Sequence, residues 1–348
     1  MFHKIRLKSV LKHSAVNAIA VMKLSKMLHK AMFRRHLAIL CYHAIVSSRL
    51  EVDDWCFLEE ISFRQQMNYL QRNFTVLHLS KALDQLLSGK IHEPTAVITF
   101  DDGYQNNYDL AFPILREMNL PATIFLTTGL LNTSDTLWFC RLHHAVTHTT
   151  KSSLEWAGCS YDLTTTDIRA KTLFVLYTKL KKLPHSKLLY ENRKIILKLG
   201  LDADLPMELG APYRMLDHDA IKTMASTGLI EFGAHTHSHA ILSLLSREEQ
   251  IKEISRSVQV VQEVTGRPCE CFSYPNGQPQ DYDADTIHAL KSCKIRGAVT
   301  GITGPNDSTT PALELRRYGI GSDTSPAYFQ LKVHHMIAQA RGLLSSIN

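Results

Sequence analysis

Residues 96–104 read AVITFDDGY, an apolar run that is followed at once by two adjacent aspartates and a glycine. A short apolar run that ends in such a turn signal predicts a buried strand. The pattern then predicts a helix over about 108–118 and a second strand over 122–126, which reads ATIFL. A strand, a helix and a strand in close succession form a βαβ unit, so the sheet is predicted to be parallel.

The same pattern recurs along the chain, where strand-like runs end in polar residues. The run LAILCY ends at His43, and the run at 229–232 leads into His235. A further run at 271–274 leads into the sequence Pro-Asn-Gly. Catalytic groups of an α/β barrel lie at the carboxyl ends of its strands. We therefore expect these polar residues to converge on one site with the two aspartates.

The sequence predicts one α/β barrel with a basic arm before it and a helix after it. From about 131 to 215 the alternation of strands and helices stops, and residues 167–199 read as two helices interrupted at Pro184. We interpret this stretch as a helical insertion that covers one rim of the barrel. The predicted divisions are residues 1–36 for the arm, 37–325 for the barrel and 326–348 for the C-terminal helix.

The composition of the 348-residue chain is that of a globular protein, with 45% hydrophobic and 21% charged residues. No run of about 18 apolar residues occurs, so no transmembrane helix is predicted. The seven cysteines are odd in number and include no Cys-x-x-Cys pair. This is typical of a reducing compartment, without disulfides or a cysteine zinc site, so we expect a cytoplasmic protein.

The net charge of +6 is concentrated in the N-terminal arm. Residues 1–36 contain nine lysines and arginines and no acidic residue, which leaves a net charge of −3 on residues 37–348. The barrel is therefore not expected to bind nucleic acid. Apolar residues at helical spacing predict a basic amphipathic helix, which could lie on the inner face of an anionic membrane or pack on the barrel. A signal peptide is disfavoured, because the apolar run before Ala18-Ile19-Ala20 is short.

Two histidines of the segment HTHSH are candidate metal ligands. His235 and His239 are four residues apart, and in a helix or a helix-like turn such side chains face the same way and can reach one ion. The chain has 18 histidines, so such a pair arises easily by chance. The pair alone is therefore a weak indication of a metal site.

The adjacent Asp101 and Asp102 strengthen the prediction of a metal. Two neighbouring carboxylates repel each other, and burial increases that cost. Asp102 could instead cap the following turn, which explains one aspartate more easily than two. A divalent cation accounts for both, because one aspartate binds it and the other stays free as a base. Asp102, His235 and His239 then form a three-ligand site with an open position, which is the pattern of a catalytic zinc.

This arrangement predicts the hydrolysis of an amide. Zinc activates water, and Asp101 would accept the proton of that water. The oxyanion that develops needs the cation and a backbone N–H, which the amide of Asn276 could donate. A site of two histidines and an aspartate also accepts cobalt, nickel or iron, and zinc is the expected ion.

These motifs resemble those of the polysaccharide deacetylases with a NodB-homology domain, carbohydrate esterase family 4. TFDDGY at 99–104 is similar to the first motif of that family, and HTHSH at 235–239 is similar to the second. FSYPNG at 272–277 resembles the YPxG-type third motif of one branch. YHAI at 42–45 and LRRYGI at 315–320 are also similar to that branch.

The resemblance covers roughly residues 37–325 and implies a fold and a set of roles. The fold would be a distorted (β/α)7-type barrel. Asp101 would be the base, and Asp102, His235 and His239 would bind the metal.

Two departures from the family's pattern leave positions open. Ser273 stands where the third motif often has an arginine that holds the base aspartate, so Arg316 or Arg317 is expected to replace it. The usual catalytic acid, a histidine in a leucine-containing motif near the C-terminus, has no match. His43 is the candidate for the acid or for substrate contact, although a histidine hydrogen-bonded at the rim fits the sequence equally well. The predicted substrate-binding residues are Tyr104, Tyr274, Arg316 and Arg317.

We therefore expect a metal-dependent hydrolase that removes an N-acyl group from an amino sugar. The expected acyl group is acetyl. The N-acylated sugar would belong to a polysaccharide, an oligosaccharide or a lipid-linked glycan. Two alternatives stay open: a deformylase of a lipid-linked amino sugar, and a catalytically silent sugar-binding module on the same fold. The sequence carries no signal for the oligomeric state.

Overall fold

The structure is a computed structural model that describes residue 33, residues 35–204, residue 206 and residues 212–337. The basic arm lies almost wholly outside these residues, so its helix and its membrane contact stay predictions. Within the described residues, no helix is both long and apolar enough to cross a membrane.

Eight parallel strands form the central sheet, and seven of them follow one another in a single order. Their order is β11-β10-β9-β6-β5-β1-β12, and β4 also pairs with β5. Strands β2 and β3 form a separate pair, and β7 and β8 form an antiparallel hairpin. With the surrounding helices, this sheet confirms the predicted distorted (β/α)7-type barrel. The strands are β1 (Leu37–Tyr42), β2 (Ala44–Val46), β3 (Phe57–Glu59), β4 (Thr75–Val76), β5 (Thr95–Phe100), β6 (Ala122–Leu126), β7 (Ser153–Trp156), β8 (Cys159–Asp162), β9 (Ile230–Ala234), β10 (Cys271–Ser273), β11 (Gly297–Val299) and β12 (Tyr318–Gly319).

Both faces of the central strands are buried, which explains the continuous apolar runs in the sequence. All six residues of β1 and of β5 are buried, and the two strands pair along their whole length. Successive side chains of a strand point to opposite faces. Leu40 accordingly packs in the larger apolar cluster, whereas its neighbour Ile39 packs in a second cluster with Val97 and Phe125. Parallel strands that are covered on both faces typically have such sequences.

The helices flank this sheet. A π-helical turn at Asn107–Ala111 precedes α3, so the helix predicted over 108–118 is divided in two. Helix α8 begins with a capping box, in which Ser246 and Glu249 exchange hydrogen bonds between side chain and backbone. The helices are α1 (Glu60–Asn73), α2 (Leu79–Leu87), α3 (Phe112–Glu117), α4 (Trp138–His148), α5 (Thr166–Leu180), α6 (His185–Lys198), α7 (His218–Ser226), α8 (Arg247–Thr265), α9 (Ala284–Ser292) and α10 (Pro326–Val333).

The insertion contains α4, the β7–β8 hairpin, α5 and α6, and it has an apolar cluster of its own. Pro184 separates α5 from α6, as the sequence predicts. The hairpin was not predicted, because its two-residue turn lacks the usual Asn-Gly or Asp-Gly signal. Ala157 (φ 52°) and Gly158 (φ 74°) instead adopt the two left-handed conformations that such a turn requires.

The prediction of one helix over 326–348 is wrong within the described residues. Helix α10 ends at Val333, and His335 adopts a left-handed backbone (φ 61°) that terminates the helical path. Residues 338–348 lie outside the described residues.

Candidate active site

The two adjacent aspartates follow β5 directly and are almost completely buried. Asp101 is 4% exposed and Asp102 is 1% exposed. The backbone turns sharply here, because Asp102 (φ 74°) and Gly103 (φ 83°) are both left-handed. The neighbouring carboxylates therefore reach different partners, Asp101 an arginine and Asp102 two histidines.

Asp102, His235 and His239 form a cluster that could hold a metal ion. Nε2 of His239 lies 3.2 Å from Oδ1 of Asp102, and Nε2 of His235 lies 3.5 Å from the same oxygen. Neither contact is an aligned hydrogen bond, and within the described residues both oxygens of Asp102 are buried without a hydrogen-bond partner. Such unsatisfied carboxylate oxygens are costly. Two imidazole nitrogens and a carboxylate oxygen suit zinc, so the residues present fit a divalent cation.

The backbone of His235 and its neighbours differs from the expected helix. Residues 235–239 form an irregular loop after β9, in which Thr236 (φ 63°) and His239 (φ 59°) are left-handed. Of the two forms expected, a helix and a helix-like turn, the helix is absent, and the turn of this loop brings the two imidazoles together, with ring centroids 4.9 Å apart. Nδ1 of His235 donates to the carbonyl of Ser273 at 2.7 Å, which fixes the ring and directs Nε2 towards Asp102.

The electrostatics of the cluster follow from burial and charge. Burial raises the pKa of Asp102, but its interactions with His235 and His239 outweigh burial and hold that pKa well below its usual range. Burial lowers the pKa of His235, but the charges of Asp101 and Asp102 raise it above its ordinary value. For His239 burial prevails and lowers the pKa. Asp102 is therefore ionised, as a metal ligand must be.

Asp101 forms a bidentate ion pair with Arg317. Nη1 of Arg317 lies 2.7 Å from Oδ1 of Asp101, and Nη2 lies 2.7 Å from Oδ2. Ser273 donates to Oδ2 of Asp101 at 3.2 Å and accepts from Nη2 of Arg317 at 3.0 Å. Burial would raise the pKa of Asp101, but the guanidinium of Arg317 holds it well below its usual range. Arg317, with Ser273 beside it, therefore holds the carboxylate of Asp101, as expected for one of the two arginines proposed to replace the one that the third motif lacks.

Arg316 does not contact Asp101, so of the two candidate arginines Arg317 is the one that holds the carboxylate, and substrate binding by Arg316 stays a prediction. Its side chain is exposed and does not line the catalytic cavity. Neighbouring residues of an extended segment point to opposite sides. Of the two arginines, only Arg317 therefore points into the protein.

A cavity of about 990 Å³ opens above these residues. Its lining includes the charged and metal-binding candidates Asp101, Asp102, His235, His239 and Arg317. His43 and Asn276 also line it, as the sequence predicts, together with residues of α5 from the insertion. A ring nitrogen of His43 lies within 4.8 Å of a carboxylate oxygen of Asp101, and the backbone of Asn276 is left-handed (φ 58°).

Two tyrosines predicted to bind substrate do not line this cavity. Tyr104 is fully buried, and its hydroxyl contacts the thiol of Cys140 at 3.2 Å. Tyr274 is buried as well, and its hydroxyl donates to the carbonyl of Leu313 at 2.7 Å. Both predictions are wrong, because each ring packs in an apolar cluster and each hydroxyl finds a buried partner there.

Four further residues that line the cavity were not predicted from the sequence. Trp55 follows β2, whereas Phe174, Tyr177 and Lys181 come from α5 and the turn after it, and all four line the cavity. One signal was available: residues 173–177 read LFVLY, which is a wider apolar surface than one packed helix face requires.

Comparisons with known proteins identify the family of the chain. The family model described as polysaccharide deacetylase matches residues 88–298, which is more than half of the chain. A poly-β-1,6-N-acetyl-D-glucosamine N-deacetylase of Staphylococcus epidermidis is 25% identical over 208 residues, which cover 57% of this chain and 67% of that protein.

Two solved structures share the fold at low sequence identity. The deacetylase PplD of Streptococcus pyogenes, solved in complex with acetate, aligns with a TM-score of 0.58 and 18% identity over 86% of this chain and 98% of its own. IcaB from Ammonifex degensii aligns with a TM-score of 0.54 and 19% identity over 87% and 97%, respectively. From the family match, the chain belongs to the polysaccharide deacetylases of carbohydrate esterase family 4, which are carbohydrate N-deacetylases.

Proposed function

We propose that this chain is a divalent-metal-dependent hydrolase that removes the acetyl group from an N-acetylated amino sugar of a glycan. The observation that carries the proposal is the pair of buried, unpartnered oxygens of Asp102 beside Nε2 of His235 and of His239. The similarity to a deacetylase of an N-acetylglucosamine polymer supports acetyl as the acyl group. A buried carboxylate without a hydrogen-bond partner is difficult to explain in a sugar-binding module that holds no cation.

Asp102, His235 and His239 would hold the ion, with zinc as the expected metal. When bound, such a cation supplies a Lewis acid that activates water and polarises an acyl carbonyl. His235 is held ready for this role, because its second ring nitrogen is bound to a backbone carbonyl.

Asp101 is the proposed general base. An ionised carboxylate has about four acceptor positions. Among the described residues Oδ1 has only Nη1 of Arg317 as a partner, whereas Oδ2 accepts from Nη2 of Arg317, from Ser273 and from Cys41. We assign proton acceptance from water to Oδ1, which keeps a free acceptor position. Arg317 keeps the carboxylate ionised and fixes its plane.

His43 and Asn276 complete the proposed machinery. His43 is the histidine, other than the two ligands, that lines the cavity within the described residues. It is the proposed proton donor to the leaving amine, so that cleavage of the C–N bond yields acetate and a free amino sugar. Its backbone carbonyl accepts from Nδ2 of Asn107 at 2.7 Å, which fixes its position at the rim. The backbone N–H of Asn276 is the proposed oxyanion donor, because no described residue accepts from it.

Replacing Asp101 with asparagine tests this proposal. We expect the variant to bind zinc with the stoichiometry of the wild type, and to lose at least a hundredfold in acetate release from acetylated chitooligosaccharides. Asp109→Asn is the matched control, because Asp109 follows in the same segment and is exposed. Wild-type protein that binds zinc but releases no acyl group from any amino sugar would instead support the sugar-binding module.

A lipid-linked amino sugar is the second candidate substrate, and exposed apolar side chains at the cavity favour it. Phe174 is 73% exposed, Trp55 49% and Leu244 40%, and all three line the cavity. Exposed apolar surface next to a site marks binding of an apolar group. Leu244 in particular offers no polar atom to a sugar hydroxyl.

Substrates with and without an alkyl chain distinguish the two candidates. If the substrate carries a lipid, Phe174→Ser and Leu244→Ser should lower kcat/KM on a long-chain alkyl glycoside of N-acetylglucosamine and leave kcat/KM on chitooligosaccharides unchanged. Leu197→Ser is the control, because Leu197 is exposed but does not line the cavity. Release of formate rather than acetate from the corresponding N-formyl and N-acetyl substrates would identify a deformylase.

A further inference from the structure

The loop of residues 235–239, here called the ligand loop, has a backbone that its sequence does not favour. Thr236 (φ 63°) and His239 (φ 59°) are left-handed, although neither is glycine. A β-branched threonine rarely adopts this conformation, and such residues cost of order 1–3 kcal/mol each. The loop therefore keeps its shape only because neighbouring groups hold it.

Glu253 of α8 binds the ligand loop through three hydrogen bonds. Its Oε2 accepts from the backbone N–H groups of His237 at 2.9 Å and Ser238 at 2.8 Å, and its Oε1 accepts from the Ser238 hydroxyl at 2.9 Å. One helical turn later, the hydroxyl of Ser257 donates to the carbonyl of Thr236 at 2.9 Å. Positions four residues apart share a helix face. One face of α8 therefore binds both the amides and a carbonyl of the loop.

The segment after β6 also binds the ligand loop. The backbone N–H of Thr128 donates to the carbonyl of Thr236 at 3.2 Å, and that of Gly129 donates to the carbonyl of His237 at 2.7 Å. These bonds are neutral, whereas Glu253 provides a charged acceptor, and hydrogen bonds to charged groups are the stronger ones. Glu253 is therefore the strongest restraint on the loop among the described residues.

His239 depends on the loop more than His235 does. The ring of His235 is fixed independently, because its Nδ1 donates to the carbonyl of Ser273. No described residue forms a hydrogen bond with the second ring nitrogen of His239, whose ring has an edge contact with Phe139 at a centroid distance of 5.5 Å. The direction of the His239 ring is thus set mainly by its own left-handed backbone, directly after the residues that Glu253 binds.

We propose that Glu253 is a positioning residue, which holds the ligand loop so that His239 faces the cation beside Asp102. The inference rests on the proposed metal site and adds a residue that lies outside the sequence motifs. Outer residues that orient metal ligands typically contribute a factor of 10–100 in metal affinity. Glu253 acts through the backbone of the loop, without touching the ligands' ring nitrogens.

The test compares zinc affinities of three proteins by competition with a chromophoric chelator. Glu253→Met keeps the approximate size of the side chain but removes both acceptor oxygens, so the backbone amides of His237 and Ser238 lose their acceptor. We expect its dissociation constant for Zn²⁺ to rise about 10–100-fold. Glu263→Met should bind zinc as the wild type does, because Glu263 is exposed on the same helix and its one side-chain hydrogen bond among the described residues is to Gln259.

The possible outcomes separate this inference from the proposed function. Unchanged zinc affinity of Glu253→Met would overturn the positioning role, even if the unfolding temperature of the metal-free variant fell. A wild-type protein that binds no zinc would instead refute the metal site itself. If Glu253→Met does not fold, Ser257→Ala tests the restraint on the loop through its other contact with α8, the bond to the carbonyl of Thr236. We expect at least a threefold loss of affinity there, and unchanged affinity would again overturn the inference.

Discussion

Replacing Arg317 with methionine would leave the buried carboxylate of Asp101 without its counter-charge. The guanidinium donates to both oxygens of Asp101 at 2.7 Å, and the side chains of Arg317 and Asp101 are 3% and 5% exposed. Removing one partner of a buried ion pair typically costs about 3–5 kcal/mol, because the remaining charge is desolvated and uncompensated. We expect Arg317→Met to lower the free energy of unfolding of the metal-free protein by about this amount at pH 7.

The size of this loss should depend on pH. In the wild type Arg317 outweighs burial and depresses the pKa of Asp101. The pair therefore stabilises the protein above the unfolded pKa of about 4, and this contribution is lost as pH falls through the lower folded pKa. Without Arg317, burial would raise the pKa of Asp101 above its unfolded value. Protonation of Asp101 at lower pH would then remove the unpaired buried charge and stabilise the variant. The difference in stability should be largest near pH 7 and decrease towards pH 4.

Urea unfolding of chelator-treated protein at both pH values measures this difference. Arg316→Met is the matched control, because its side chain is exposed, and surface substitutions usually change stability by about 0.5 kcal/mol or less. In an Asp101→Asn background the cost of Arg317→Met should be clearly smaller, since no charge is left unpaired. A loss equal to that of Arg316→Met, or one that is independent of pH and of Asp101, would refute the reasoning.

Three further predictions concern the metal site and the barrel's helices. Asp102→Asn should reduce zinc content below about one tenth of the wild-type value by metal analysis, because a neutral amide is a poor ligand for zinc; stoichiometric zinc would contradict its role. Gly129→Ala should weaken zinc binding at least tenfold in the chelator competition, since the added Cβ would lie 2.6 Å from the carbonyl oxygen of His237 in the ligand loop. Wild-type affinity would mean that this loop shifts freely. Ser246→Ala should cost about 1 kcal/mol in urea unfolding through loss of the N-cap of α8, and no change in the midpoint would argue against that cap.

The sequence by itself determined the class of fold and the centre of the site. The strands β1, β5 and β6 were predictable, because burial on both faces demands continuous apolar runs that are visible locally. The positions of Asp101, Asp102 and the two histidines were predictable for a related reason. Parallel strands bring their carboxyl ends to one edge, so polar residues after successive strands meet whatever the details of the packing.

Only the tertiary structure decided which neighbouring side chains complete that site. Arg317 lies 216 residues from Asp101 in the sequence, and no local pattern distinguishes it from Arg316, which points to solvent. No local pattern identifies Glu253 either, whose carboxylate reaches the ligand loop from the side of a helix, and none identifies Phe174 of the insertion as a residue of the cavity. Periodicity shows which residues are buried or exposed, but hydrogen bonds across the barrel depend on how its elements pack. Tyr104 and Tyr274 were predicted wrongly for this reason, because proximity to a motif in sequence does not determine the direction of a side chain.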